Sequence, residues 1–370
     1  MNRWREAAPG EREAGRRSWD VVREAYTERL PSPGRRDRRR LVVAAVGVAI
    51  LAAAFSPPGF AVWGSLRDAV RGADNAKPAL FSLPTSRSRL LVNSAEGAWV
   101  VQSDGSKRLL AGYRDASWSP HGLYLAAVHG NELRALEPNG DVHWSIARSG
   151  EVGNPRWSFD GYRVAYFVGR SLRVVNGDGT ADRLFARNVQ PGPAAWQPGT
   201  HALAYVNRNG DIQVANVDRR NRFATIRARS TPFQLIWTAD SRRFVAVEPH
   251  ELEVFWQRGP RIGGIHLGTS RAMAAAVSPD GKRYAFVETR AGRSTVHLTG
   301  ILGGPTLRVF TGAGTFAGVT WSPDGRWLLL DWPTPDQWLF IRTPLRKFVA
   351  VSNVRANFGP AALPAGWCCP

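Results

Sequence analysis

The chain has 370 residues, of which 44% are hydrophobic, and it contains 37 Gly and 15 Trp. This composition fits a large packed core crossed by many tight turns, and it excludes a mostly disordered chain. The net charge of +19 comes almost entirely from Arg. An excess of Arg over Lys is typical of a GC-rich coding sequence. A basic surface also attracts anionic lipid, anionic wall polymers and acidic proteins.

Residues 1–40 form a basic tail with one predicted helix. The segment SWDVVREAYTERL (18–30) has Ser18 at the N-cap and a narrow apolar stripe along one face. Such a stripe needs a covering surface, and the sequence leaves the membrane surface and a cytoplasmic protein partner as open alternatives. No recognition helix, zinc finger or RNA-binding aromatic motif is present in the sequence, so nucleic-acid binding is not predicted.

Residues 41–63 predict a single transmembrane helix. These 23 residues carry no charge, and about 20 apolar residues suffice to cross the hydrocarbon core of a bilayer. The basic run RRDRRR (35–40) precedes them, whereas the region after them has only scattered charges. The positive-inside rule therefore predicts a single-pass protein of the cell membrane, with a cytoplasmic N-terminus and everything after residue 63 outside the cytoplasm.

A cleaved signal peptide is the alternative to an anchor, because Ala52-Ala53-Ala54 could serve as a cleavage site. The 34 residues before the basic run are far more than a normal signal peptide has there, which favours the anchor. Either alternative leaves the remainder of the chain outside the cytoplasm. Residues 64–85 are interpreted as a linker.

A repeat with a period near 40 residues predicts the fold. Its turns begin at Trp118, Trp157, Trp196, Trp237, Val277 and Trp321, with spacings of 39, 39, 41, 40 and 44 residues. A period near 40 with four short apolar runs in each unit is typical of propeller blades. The residues assigned to this blade motif are Trp118, Trp157, Trp196, Trp237, Trp321, Trp367, Asp160, Gly161, Asp280, Gly281, Asp324 and Gly325.

The apolar strands that follow the turns can be counted separately, and they number seven if RLLVNS (89–94) is included. That first strand has no Trp turn before it. The segment ALPAGW (362–367) ends in Trp367 and can supply the missing innermost strand. The sequence therefore predicts an all-β, seven-bladed propeller over 86–370, whose C-terminal strand closes the first blade.

The turns VSPDGKRYAF (277–286) and WSPDGRWLLL (321–330) resemble the TolB-like propeller repeat, also described as a PD-type or WD-like repeat. The resemblance covers about residues 86–370. The turns WQPGT (196–200) and WTADS (237–241) depart from the pattern, and we expect them to differ in shape. The motif implies a fold and says almost nothing about chemistry, because its residues build turns and pack blades.

The sequence predicts no catalytic, metal or cofactor site. It contains no nucleophile elbow, phosphate loop or dinucleotide fingerprint, and none of its seven His residues pairs with another at metal-ligand spacing. The Asp residues of the turns are interpreted as turn caps. The recurring Trp residues are interpreted as packing between blades, not as a carbohydrate platform.

Cys368 and Cys369 are the only cysteines. Neighbouring Cα atoms lie about 3.8 Å apart, below the usual disulfide range that begins at about 4.4 Å, so a bond between them is expected to be strained. We expect either two small buried residues or thiols that pair between molecules.

Three hypotheses follow for function. The first is a non-enzymatic, membrane-anchored scaffold whose propeller binds a protein or an envelope polymer outside the cytoplasm. The second is a signalling protein that senses outside and acts through residues 18–30, which resembles membrane-spanning sigma-factor regulators in layout. The third is a propeller hydrolase or lyase, which requires a cluster of ionisable residues at one mouth of the channel.

Overall fold

The computed structural model describes residues 82–86, 88–219, 221–343 and 347–369. This part of the chain forms 28 strands and one short helix, and the strands group into seven antiparallel four-stranded sheets. The fold is an all-β, seven-bladed propeller, and the predicted blade count is confirmed. The predicted helix (18–30) and the predicted membrane segment (41–63) lie outside the described residues. Within the described ranges, no helix is long and apolar enough to span a bilayer.

The strands are numbered in chain order, and each blade takes four of them. Blade 1 contains β1 (Arg89–Ser94), β2 (Gly97–Val101) and β3 (Lys107–Ala111). Blade 2 contains β4 (Tyr113–Trp118), β5 (Leu125–His129), β6 (Glu132–Leu136) and β7 (Val142–Ala147). Blade 3 contains β8 (Val152–Trp157), β9 (Arg163–Val168), β10 (Ser171–Asn176) and β11 (Arg183–Ala186). Blade 4 contains β12 (Val189–Trp196), β13 (Ala202–Asn207), β14 (Ile212–Asn216) and β15 (Asn221–Ile226).

The remaining strands complete the ring. Blade 5 contains β16 (Gln234–Trp237), β17 (Arg243–Val247), β18 (Glu251–Trp256) and β19 (Arg261–His266). Blade 6 contains β20 (Arg271–Val277), β21 (Arg283–Arg290), β22 (Arg293–Gly300) and β23 (Leu307–Ala313). Blade 7 contains β24 (Gly318–Trp321), β25 (Trp327–Trp332), β26 (Gln337–Arg342) and β27 (Lys347–Ser352), and it is followed by α1 (Val354–Phe358) and by β28 (Leu363–Cys368).

Strand β28 closes the ring by returning to blade 1. It pairs antiparallel with β1, so that Trp367 lies opposite Leu90, and it forms the innermost strand of that blade. The predicted closure through the C-terminal strand is therefore confirmed. The two ends of the propeller are held in one sheet, which leaves no open blade between blades 7 and 1.

The core lies between blades, because both faces of each sheet are covered by a neighbouring sheet. In β1, Leu91 packs in the cluster shared with blade 2, whereas Leu90 and Val92 pack in the cluster shared with blade 7. Successive side chains of a strand point to opposite faces, so a strand buried on both faces is apolar at every position. This explains the unbroken apolar runs of the second strands. Each Leu or Val that becomes fully buried contributes about 1.5–3 kcal/mol.

The two cysteines lie side by side at the end of the closing strand. Cys368 is buried and ends β28, and its sulfur is in contact with that of Cys369. The turn of blade 2 lies against this pair. A Cβ placed on Gly122 would come within 2.9 Å of both sulfurs, and Gly122 has a φ of +64°. Only glycine therefore fits this position without rearrangement.

Candidate functional site

The Trp residues of the repeat link neighbouring blades through hydrogen bonds. In four blades the indole N–H donates to the carbonyl of the residue just before the equivalent position in the preceding blade. These bonds run from Trp118 to Gly366 at 3.3 Å, from Trp196 to Arg156 at 2.9 Å, from Trp237 to Ala195 at 3.0 Å and from Trp321 to Ala276 at 3.0 Å. This arrangement supports packing between blades as the role of these residues.

Three positions of the ring depart from this pattern. Trp367 donates instead to the hydroxyl of Ser88 at 2.8 Å, which ties the closing strand to the start of blade 1. Blade 6 has Val277 at the equivalent position and so has no indole to donate. The indole nitrogen of Trp157 in blade 3 is buried and has no partner among the described residues.

The turns after the Trp residues define one face of the propeller, which we call the Trp face. In four turns a hydroxyl donates to an Asp two residues later, and the same carboxylate accepts a backbone N–H two residues further on. The hydroxyl and carboxylate pairs are Ser158 with Asp160, Thr238 with Asp240, Ser278 with Asp280 and Ser322 with Asp324. The residue after the Asp has a φ of +77° at Gly161, +67° at Gly281 and +66° at Gly325, which favours glycine.

The turns after Trp237 and Trp196, whose sequences depart from the repeat, differ from each other in backbone shape. The turn at Trp237 keeps the common shape, because Ser241 takes the positive φ of 62° that glycine has elsewhere. The turn at Trp196 does differ: its positive φ, 67°, moves one position earlier to Gly199. In that turn the amide of Gln197 reaches blade 5 and donates to Gln257 Oε1 at 2.5 Å. The expectation of a changed shape therefore holds for one of the two turns.

The central channel forms a cavity of about 600 Å³. Much of its lining comes from positions one and three residues before the Trp of each turn, since alternate residues of a strand share a face. Blades 6 and 7 place small or apolar residues at these positions. They are Ala274, Ala276, Gly318 and Thr320.

Blades 2 and 3 give the channel a polar wall. Asp115 and Asn154 occupy the position three residues before the Trp, and Arg156 occupies the position one residue before it. The backbone N–H of Asn154 donates to Asp115 Oδ2 at 3.4 Å. We call Asp115, Asn154 and Arg156 the channel site; they are the residues that distinguish this wall from the rest of the ring.

Asn93 and Gln234 also line the channel, but their amides are already used. Asn93 Nδ2 donates to Ala116 O at 3.3 Å and its Oδ1 accepts Ala116 N–H at 3.0 Å. Gln234 makes the same pair of bonds to Ala275, both at 3.0 Å. These two amides fix the backbone of the next blade and leave little capacity for a ligand.

Arg156 is the free cation of the channel. Its Nη1 donates to the carbonyl of Pro155 at 2.9 Å, and it forms no ion pair with any described residue. The Arg156 side chain is exposed to water in the channel. Desolvation by the surrounding channel walls lowers the pKa of Arg156, and the carboxylate of Asp115 opposes the shift. Asp115 and Arg156 are the two ionisable residues that line the described channel.

A second feature lies on the Trp face of blades 2 and 3. Leu123 is 63% exposed, Phe159 is 56% exposed and Tyr162 is 66% exposed. A Cβ on Gly161 would lie 3.8 Å from Pro120 Cδ, so the two turns are neighbours. We call Leu123, Phe159 and Tyr162 the Trp-face patch.

Comparison of equivalent turn positions shows that the fold of the propeller does not require the Trp-face patch. Phe159 stands where the turns of blades 2, 4, 6 and 7 have Pro, and Leu123 and Tyr162 stand where later turns have charged or polar residues. Those charged or polar residues are His201, Arg242, Lys282 and Arg326. The sequence analysis missed this patch, although a comparison of equivalent turn positions would have found it.

His201 joins blades 3 and 4 on the same face. Its Nε2 bonds Asp160 Oδ2 at 2.6 Å, and its Nδ1 bonds the carboxylate of Asp218. Burial alone would lower the pKa of His201, but hydrogen bonds that the imidazole donates to Asp218 and Asp160 raise it. Asp160 is therefore both a turn cap, as predicted, and an ion-pair partner across blades. Within the described residues, no group of three His, Cys, Asp or Glu side chains could hold a metal ion.

Glu248 and Asp331 are buried away from the channel, and Asp182 is half-buried. Burial, with Glu253 nearby, raises the pKa of Glu248 to about 7. Burial likewise raises the pKa of Asp331 to about 7, although the indole of Trp338 donates to it at 3.1 Å. Asp182 behaves in the opposite way. Burial would raise the pKa of Asp182, but hydrogen bonds from Arg173 and Tyr166 outweigh it and lower the pKa.

No family model matches this chain, and no curated protein matches it. Solved structures of other propellers are similar in fold. "KlHsv2 with loop 6CD replaced by a Gly-Ser linker" has a TM-score of 0.55 and 13% identity, and the match covers 75% of this chain and 96% of that one. Hsv2 of Kluyvelomyces marxianus has a TM-score of 0.52 and 12% identity, over 71% and 92% of the two chains.

A chain of the Mitotic Checkpoint Complex has a TM-score of 0.55 and 15% identity, and the match covers 75% of this chain and 85% of that one. Identities this low establish the shared propeller fold and nothing about partners or chemistry. The function of this chain therefore has to be argued from its own surfaces.

Proposed function

We propose that this protein is a non-enzymatic, membrane-anchored scaffold whose propeller binds a protein outside the cytoplasm. The Trp-face patch is the observation that supports binding. Large apolar and aromatic side chains that stay exposed at neighbouring turns are typical of protein interfaces, where such residues supply most of the binding energy. The frame of the propeller does not require them, because the equivalent turns fold with Pro or polar residues at the same positions.

The absence of enzymatic activity is part of the same proposal. A hydrolase or lyase needs a nucleophile or an acid–base group close to its substrate. The described channel is lined mostly by small and apolar side chains, and Asp115 and Arg156 are its two ionisable residues. No described feature favours the signalling alternative, which depends on residues 18–30.

We also propose that the repeat is of the TolB-like type. The support is the turn chemistry: Ser278 bonds Asp280 and Ser322 bonds Asp324, and each Asp then caps the next backbone N–H. These bonds explain why Ser, Asp and Gly recur in that order after the Trp position. They concern the turn alone and imply no shared partner.

Affinity purification from solubilised membranes tests the binding role. The double variant Phe159→Ser, Tyr162→Ser removes the aromatic part of the patch, and Leu302→Ser is the matched control, because Leu302 is 73% exposed in blade 6. We expect a co-purifying protein that is present with the native chain and with Leu302→Ser and is lost with the double variant. The same set of proteins with all three chains would contradict the role of the patch.

Membrane anchoring has its own test. Deletion of residues 41–63 is expected to move the protein from the membrane fraction to the soluble fraction, because these residues are the predicted anchor. In the intact chain, external protease should degrade the propeller while an N-terminal epitope tag stays protected and membrane-bound. A propeller released at its native size without protease would instead support the cleaved alternative.

A further inference from the structure

We infer that the central channel binds a small organic monocarboxylate through Arg156. The site is separate from the proposed protein-binding surface, since none of the three residues of the Trp-face patch lines the channel. The inference rests on an unpaired cation that faces a cavity of about 600 Å³, which lies within the usual size range of small-molecule sites.

Hydrogen-bond donors are available on one wall. The guanidinium of Arg156 uses a single N–H on the carbonyl of Pro155, so the other donors stay free for a planar, bidentate contact with a carboxylate. The side-chain amide of Asn154 makes no hydrogen bond to any described residue. Donors that face the channel without a protein partner remain available to a ligand oxygen.

The charges of the channel select a monoanion. Arg156 is a single positive charge, and Asp115 lines the same cavity as a negative charge close enough to influence it. A carboxylate balances one guanidinium. Asp115 repels any anion in the cavity, and a phosphate monoester, with a charge of about −1.5 to −2 near neutral pH, is repelled more strongly than a carboxylate and exceeds the single cation.

The opposite wall selects an aliphatic body on the ligand. Ala274, Ala276 and Val319 line the cavity from blades 6 and 7, and Ala365 lines it from blade 1. These side chains offer no hydrogen bonds, so they favour a hydrocarbon portion that leaves water. A carboxylate head at Arg156 with a short alkyl chain against blades 6 and 7 satisfies both walls.

Saturation-transfer difference NMR on the purified full-length chain tests the inference with hexanoate as the probe. Acetate lacks the alkyl chain, hexanamide lacks the charge, and inorganic phosphate carries a larger charge. We expect binding of hexanoate that is stronger than binding of acetate, and no saturation of hexanamide under the same conditions. Equal binding of hexanamide, or binding of phosphate in preference to hexanoate, would overturn the assignment of a carboxylate.

Three variants test the role of Arg156. We expect Arg156→Gln to weaken hexanoate binding about ten- to hundredfold, since a charge-assisted hydrogen-bond pair is lost, and Arg156→Lys to retain part of it. Arg290→Gln is the matched control, because Arg290 is exposed at the end of β21 and makes no ion pair with a described residue. Its hexanoate affinity should be native. Circular dichroism melting should be unchanged for all three. Native hexanoate affinity in folded Arg156→Gln would refute the site.

Discussion

Blades 3 and 7 are built on the same frame and differ at the positions that face solvent or the channel. Both end their inner strand in Trp, at Trp157 and Trp321, and both follow it with a Ser–Asp turn that bonds in the same way. The four strands of each blade pair in the same order. The Trp and the Ser–Asp turn therefore occupy equivalent positions in the two blades and form the common frame.

Three of the differences concern the channel and the turn. The position before the Trp is Arg156 in blade 3 and Thr320 in blade 7, and the position three before it is Asn154 in one and Gly318 in the other. The second turn residue is Phe159 where blade 7 has Pro. A repeat tolerates such changes because the frame bonds do not use these side chains. Candidate binding residues are therefore found where one blade departs from the others.

The largest expected contrast between the two blades is the effect of removing the Trp. Trp321 is buried, and its indole donates to Ala276 O at 3.0 Å, so Trp321→Ala should cost about 3–5 kcal/mol of unfolding free energy. Trp157 is only partly buried and its N–H has no described acceptor, so Trp157→Ala should cost about 1–2 kcal/mol less. Urea denaturation midpoints at equal slope measure both values.

Phe substitutions separate the hydrogen bond from the packing in this comparison. We expect Trp321→Phe to be destabilising, since the carbonyl of Ala276 loses its donor, and Trp157→Phe to be neutral or stabilising, since an unpaired buried N–H is removed. An equal loss of unfolding free energy for the two Phe variants would mean that the indole hydrogen bond does not distinguish the two blades.

The frame could be predicted from the sequence because it repeats. The period of the Trp turns gives the blade count, and the lone first strand at Arg89 together with Trp367 gives the closure, which β1 and β28 confirm. The channel site could not be predicted in this way, because Arg156 and Asn154 are single departures with no partner in the sequence. Their proximity to Asp115 depends on inter-blade geometry that a period alone does not fix. The bond between His201 and Asp160 was missed for the same reason.

The second contrast concerns one carboxylate in each blade, Asp331 in blade 7 and Asp182 in blade 3. Their pKa values shift in opposite directions. In blade 7 the pKa of Asp331 is raised to about 7 by burial, whereas an unfolded chain ionises near 3.8. The folded state therefore holds a proton that the unfolded state has lost between about pH 4 and 7, and stability falls as the pH rises through that window. Asp331→Asn should remove this slope and stabilise the protein at pH 8 by about 2–4 kcal/mol, less the cost of an unpaired amide N–H.

Thermal or urea unfolding at several pH values measures the slope. Glu248 in blade 5 has a pKa raised to about 7 in the same direction, so part of the slope should persist in Asp331→Asn. The double variant Asp331→Asn, Glu248→Gln should be nearly flat from pH 5 to 6, above which the raised pKa of His201 adds its own fall in stability. An Asp331→Asn variant with the full native slope would show that this carboxylate is already ionised in the fold.

The smallest expected effect comes from Asp182 in blade 3, a half-buried carboxylate that is ionised in the folded state. Asp182 accepts hydrogen bonds from Arg148, Arg173 and Tyr166, and these lower the pKa of Asp182 although burial opposes the shift. Its stabilisation is therefore present above pH 3.8 and is lost as the pH falls through the lower folded pKa. Asp182→Asn should cost about 1–3 kcal/mol at pH 7, since two guanidinium groups lose their counter-charge.

The pH dependence of that loss identifies its cause. The difference between the native chain and Asp182→Asn should begin to shrink below about pH 4, where the unfolded carboxyl takes up a proton, and should level off once the folded carboxyl is protonated at a lower pH. Asp178→Asn is the matched control in the same blade: Asp178 is exposed and accepts the N–H of Thr180 at 2.9 Å, a bond that an Asn oxygen can keep. It should change stability by less than about 0.5 kcal/mol. A loss at Asp182 that stayed constant from pH 7 to 3 would come from packing, and the electrostatic contrast between blades 3 and 7 would then disappear.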